Sequence, residues 1–138
     1  MQNQTANLDT STWPLGFENE FSIIKAVRLG ISNQVFDEIV ARSPFSAEEW
    51  LTFLPVSQHL FGQNDKGISP LHSDLIFQIA LLAQKGREVF GSDEKFSRWA
   101  NRPNAILQGQ KPKELLDTTF GINLVRDEIG RIEHGIFA

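Results

Sequence analysis

Residues 69–90 constrain the fold more than any other stretch of the chain. Ser69-Pro70 places an N-cap serine before a proline, whose fixed φ and missing amide suit the first helical position. Gly91 supplies the stop. Between them Leu71, Leu75, Ile79, Leu82 and Val89 recur at helical spacing, and Ile76, Ala80, Ala83 and Phe90 widen the stripe. A helix with so broad an apolar surface has to be covered on several sides. The fold class that follows is all-α, with shorter helices packed around a central one.

Those shorter helices carry their own punctuation. Phe21, Ile24, Val27 and Arg28 sit at helical offsets, and Gly30 ends the segment. Ser32 is an N-cap, followed by the stripe Val35, Phe36, Ile39 and Val40. Ser46-Ala47-Glu48-Glu49 reads as a capping box opening a helix with Trp50, Leu51, Phe53 and Leu54, which Pro55 ends. Val56 to Gly67 is ambiguous: His59-Leu60-Phe61 suits one helical turn, whereas Gly62, Asn64, Asp65 and Gly67 favour loop. Ser92 caps a helix bearing Phe96 and Trp99. Pro103 and Pro112 bracket an irregular segment from Asn101 to Lys111, and Pro112 opens a turn with Leu115 and Leu116. Thr118 caps a last helix, where Ile122, Val125, Ile129, Ile132 and Ile136 alternate three and four apart. That stripe either completes the core or forms a homodimer seam. In a chain of 138 residues, internal use ranks first. No period-2 run argues for a strand.

Residues 1–20 are polar and aperiodic apart from Trp13-Pro14-Leu15 and Phe17, and read as a mobile tail. Trp13 and Phe17 are its candidate anchors, with packing on the domain's own core ranked ahead of docking elsewhere. The chain thus divides into a tail (1–20), a helical region (21–68) and a second helical region (69–138).

Composition removes most chemistries. Without cysteine there are no disulfides, thiolate metal sites or thiol nucleophiles. His59, His72 and His134 are too scattered for a metal cage. No Gly-rich phosphate loop occurs. The acid pairs Glu48/Glu49, Asp93/Glu94 and Asp127/Glu128 fall at helix starts or on predicted solvent faces, where Asp127 and Arg131 are i, i+4 partners. Glu133 and His134 are adjacent, and adjacent helical residues point apart, so they form no dyad. The chain reads as a non-enzyme that needs no cofactor. The longest apolar run, Ile79 to Ala83, is far short of a membrane span, and residues 1–20 lack the Lys or Arg of a signal peptide. The expected location is the cytoplasm.

Charge is unevenly placed. The first 67 residues hold four bases against eight acids, so they carry the whole net charge of −4; the remainder balances nine against nine. An acidic amino-terminal half is a poor electrostatic start for binding a polyanion.

One set of motifs carries a family resemblance. It runs Val89-Phe90-Gly91, Phe96-Ser97-Arg98-Trp99 and Arg102-Pro103-Asn104-Ala105-Ile106-Leu107. It continues through Pro112-Lys113-Glu114-Leu115-Leu116-Asp117-Thr118 and Gly121 to Gly130-Arg131-Ile132-Glu133-His134-Gly135-Ile136-Phe137. In this order residues 69–138 resemble the toxin-binding domain of the Xre/MbcA/ParS-type antitoxins. Upstream, Leu29-Gly30-Ile31-Ser32, Phe36 and Ala41-Arg42-Ser43 resemble the start of the same family's helix-turn-helix half.

The resemblance implies an antitoxin that holds a RES-type, NAD-depleting toxin inactive by direct contact. In such proteins the toxin-facing surface lies in the carboxy-terminal domain, and the last residues reach toward the toxin's active site. Carried over, the toxin-binding candidates are Asn104, Leu107, Gly109, Arg131, Glu133, His134, Gly135 and Phe137. Pro103, Leu107, Leu115, Leu116 and Gly121 also match as builders of the fold. The family's loop before Pro112 has two glycines after the leucine, whereas here Gln108 stands first and only Gly109 remains. The family's recognition helix carries an arginine pair after Thr-Leu, and the matching positions here are Gly62 and Gln63. Gln58, His59, Gln63 and Lys66 are the candidate DNA contacts that remain. Gln can read adenine, but a single lysine leaves the phosphate attraction thin. The expected result is a helix-turn-helix scaffold with weak or lost intrinsic DNA affinity. The alternative is a DNA-binding autorepressor.

Overall fold

A computed structural model describes residues 17–54 and 67–135. Six α-helices account for most of them: α1 (Glu20–Leu29), α2 (Asn33–Arg42), α3 (Ala47–Phe53), α4 (Pro70–Phe90), α5 (Asp93–Ala100) and α6 (Thr119–Gly135). Two 3₁₀ turns, Ala105–Leu107 and Pro112–Leu115, link α5 to α6. No strand occurs among the described residues, so the all-α expectation holds.

The helix starts follow from local chemistry. The side-chain oxygens of Ser32, Ser46, Ser69 and Ser92 each accept the amide three residues on. Ser46 and Glu49 complete the reciprocal capping box, with the Ser46 amide 3.0 Å from Glu49 Oε1. Thr118 Oγ1 accepts the Gly121 amide at 2.9 Å and starts α6. A further capping box, Asn19 with Ser22, opens α1. Helical order therefore begins inside the segment read as a tail. Phe17 packs edge-on against Phe77 with ring centroids 5.1 Å apart, the intramolecular option; Trp13 lies outside the described residues.

The broad stripe of α4 makes that helix the centre of the molecule, packed by α1, α5 and α6. Ile76, Ile79 and Leu82 are fully buried, and Ile122, Val125 and Ile129 of α6 meet the same core. The α6 stripe is thus used internally, and these three residues are not available as a dimer seam. Phe36, Phe45, Trp50 and Phe53 form an aromatic cluster that reaches across to Phe96 of α5 through Phe45, at 6.1 Å.

A tight crossing joins α1–α2 to the start of α4. The Ile68 amide donates to the Ile31 carbonyl at 2.9 Å, and the fully buried Ser73 hydroxyl accepts the Ile31 amide at 3.0 Å. Gly30 has φ +83, and a Cβ there would strike the Ile68 carbonyl, so only glycine permits this approach.

Several expected core positions lie outside. Leu71 is 83% exposed because the first turn of α4 packs through Ser73, on another side of the helix. Phe21 and Ile24 also face outward, because α1 packs through Ile23, Ala26 and Val27 instead. Leu51 is exposed on α3, where Trp50 and Phe53 take the inner positions. No described helix is long and apolar enough to cross a membrane.

Candidate functional site

The loop between α5 and α6 is organised by Asn104. Its side-chain oxygen accepts the amides of Ile106 and Leu107 at 2.8 and 3.3 Å. Its backbone pairs with Gln110, and its carbonyl takes the Gly109 amide at 2.8 Å. Leu107 is 7% exposed and points into the core. Gly109 sits at φ +82, and Gln108 before it at φ +61 is the one non-glycine residue in the left-handed region among those described. That is the position where the family pattern has its first glycine. Here a glutamine adopts a backbone conformation that disfavours side chains. Asn104, Leu107 and Gly109 therefore shape this loop.

The next element, α6, has two faces of opposite character. Inward point Ile122, Val125 and Ile129. Outward, at intervals of four, three, four and three residues, come Phe120, Leu124, Asp127, Arg131 and His134, all exposed. At 3.6 residues per turn these five fall within about 40° of a common line. Phe120 is 83% and Leu124 53% exposed. The inner isoleucine stripe drew the sequence reading away from this outer pair, although the same heptad count from Phe120 would have found it.

Polar side chains hold α6 in place. Glu128 is buried, contrary to the solvent face expected for it, and its carboxylate receives Arg131 bidentately, Nε at 3.0 Å and Nη2 at 2.7 Å. Arg131 thus pairs with Glu128 rather than with Asp127. The hydrogen bond to Glu128 raises its already high pKa further. Glu133 leaves the outer line and reaches Lys85 of α4 at 2.8 Å, which lowers the Glu133 pKa. His134 Nε2 comes within 3.5 Å of Glu133 Oε1 despite their adjacency, a long contact at the helix end rather than a dyad. Gly135 closes the helix in open space.

The structure thus brings Arg131 and His134 together on one line. It places Glu133 at their flank against α4, and Asn104, Leu107 and Gly109 in the preceding loop. Phe137 lies outside the described residues, as do Gln58, His59, Gln63 and Lys66. Elsewhere, a cleft of about 340 Å³ between α3 and the second 3₁₀ turn is lined by Glu49, Thr52, Phe53, Lys113, Glu114 and Asp117. Lys113 Nζ and Glu49 Oε2 meet in it at 2.8 Å, tying the two halves of the chain together. Among the described residues no His, Cys, Asp or Glu cluster could hold a metal ion. What the α6 face offers chemically is a surface for binding: an aromatic and a leucine, one carboxylate, and a braced guanidinium.

Comparison with known proteins bears on the same segment of the chain. Residues 85–135, from the second half of α4 to the end of α6, match the family described as "Antitoxin Xre/MbcA/ParS C-terminal toxin-binding domain". The chain is also similar to "Antitoxin Xre" of Yersinia enterocolitica serotype O:8 / biotype 1B, with 27% identity over 120 residues, 84% of this chain and 81% of that protein. The carboxy-terminal part of the chain is therefore similar to the Xre/MbcA/ParS-type toxin-binding domain.

Proposed function

We propose that this chain is the antitoxin of a toxin–antitoxin pair and acts by binding rather than by catalysis. Its partner is a RES-type toxin that depletes NAD, held inactive through the carboxy-terminal domain. The observation that carries this reading is the outward face of α6, which lies within the family-matched segment and leaves two large apolar side chains beside Arg131 and His134. Aromatic and arginine side chains are the residue types that dominate protein–protein binding energy. Arg131, Glu133, His134, Gly135 and Phe137 are the contacts at the end of the helix. Asn104, Leu107 and Gly109 contribute by fixing the loop that precedes it.

On this reading the amino-terminal half keeps a helix-turn-helix scaffold with weak DNA affinity. Its net charge of −4 supports that view, because phosphate contacts supply most non-specific affinity. Gln58, His59, Gln63 and Lys66 are the DNA contacts this leaves. Two assays test the proposal. The tagged chain should retain the product of the adjacent reading frame through size-exclusion chromatography. In a mobility-shift assay on its upstream DNA, the chain alone should give no submicromolar, salt-sensitive complex. Tight DNA binding with no protein partner would establish the autorepressor reading instead.

A further inference from the structure

We infer that the first half of α6 is an anchor for the toxin: Phe120 and Leu124 enter an apolar groove on it, and a basic side chain of the toxin faces Asp127. The inference rests on the antitoxin reading and names the part of the surface, away from the helix end, that supplies affinity. Phe120 and Leu124 are four residues apart, the spacing at which helical side chains enter a groove together. Both stay exposed while their neighbours Ile122 and Val125 are fully buried, so no rotation of α6 could hide the pair without exposing the core. The surrounding structure leaves them uncovered at 83% and 53% exposure.

Charge decides what borders the groove. No cation pairs with Asp127 among the described residues, because Arg131 is committed to Glu128 and Arg126 donates to Asn123 Oδ1 at 2.7 Å. Asp127 is therefore the unneutralised group on the line, and its complement is a Lys or Arg. Arg131 has used Nε and Nη2 on Glu128; its Nη1 donors remain for a carbonyl oxygen. A nucleic acid does not suit this face, since its one unpaired charge is negative and its centre is apolar. A helix face about 25 Å long supplies only part of the roughly 800 Å² per partner that a stable complex needs. The anchor therefore acts together with the helix end and the adjoining surfaces.

The test measures binding of the purified adjacent-frame product to the full chain, to three α6 variants and to one control. Phe120→Ser and Leu124→Ser each should weaken binding at least about tenfold with the melting temperature unchanged, because both residues are exposed. Asp127→Lys should also weaken it, with an effect that shrinks as salt is raised. Leu71→Ser, at an equally exposed leucine on α4, is the control and should bind like the unaltered chain. Affinities for all three α6 variants within twofold of the unaltered chain would overturn the anchor while leaving the antitoxin reading intact. No binding by the unaltered chain would overturn that reading and the anchor with it.

Discussion

Replacing Ser73 by alanine isolates the joint between the two halves of the chain. Ser73 is fully buried and Ile31 is 5% exposed, so no water is at hand to replace a lost partner. The Ser73 hydroxyl accepts the Ile31 amide at 3.0 Å; its own donation to the Ile68 carbonyl, at 3.4 Å, is long and weak. Alanine fills nearly the same space, and the missing hydroxyl leaves a void too small for a water molecule. The expected loss is that of one orphaned buried amide, about 1–3 kcal/mol. At about 4 °C per kcal/mol for a domain of this size, the melting temperature should fall by about 4–12 °C. Urea titration followed by circular dichroism gives the free energy directly, with an unchanged slope if only stability has moved. A loss under about 0.5 kcal/mol would refute the reasoning, since the Ile31 amide must then find another acceptor.

Four further outcomes follow from the same geometry. Gly121→Ala should destabilise by about 3 kcal/mol or more, because the new Cβ meets the Leu115 backbone carbonyl, which cannot swing aside; thermal denaturation reads the effect. Gln108→Gly should leave stability unchanged or raise it by up to about 1 kcal/mol, as relief of the left-handed strain offsets the entropy glycine loses on folding. Arg131→Glu should lower the melting temperature, since it sets a second carboxylate against buried Glu128, and adding Glu128→Gln should recover most of the loss. For Glu49, burial pushes the pKa up, but the hydrogen bonds from Lys113 and Ser46 together with the charge of Lys113 outweigh it and leave the pKa below 4.5. A carboxylate lowered in the folded state contributes stability that is complete above its unfolded pKa and is lost as pH falls through the folded one. Stability should therefore decline below about pH 4.5, and Lys113→Met should flatten that acid limb.

What could be read from the sequence was local. Ser32, Ser46, Ser69, Ser92 and Thr118 announce helix starts because each cap is decided within four residues. The breadth of the α4 stripe and the strict alternation of Ile122, Val125 and Ile129 likewise fix inward faces without knowledge of neighbours. Leu71 and Phe21 show where this fails: their exposure depends on which side of the helix meets a neighbour, which no local pattern records. Glu128 fails for a related reason. An acid three residues before an arginine looks like a surface pair, and only the fold shows its carboxylate beneath the guanidinium. Ser73 gave no signal, since its partner Ile31 is 42 residues away in the chain. The loop candidates Asn104, Leu107 and Gly109 were found through resemblance, and the structure gives each of them work inside the loop itself. Phe120 and Leu124 were passed over because the last helix was read for its inner face alone.

NAD in living cells gives the most direct test of toxin neutralisation. Cells expressing the adjacent reading frame alone, this chain alone, or both would be compared for NAD content. The antitoxin reading predicts depletion by the neighbour alone, no change with this chain alone, and normal NAD with both. Depletion that persists while this chain is present in excess would contradict it.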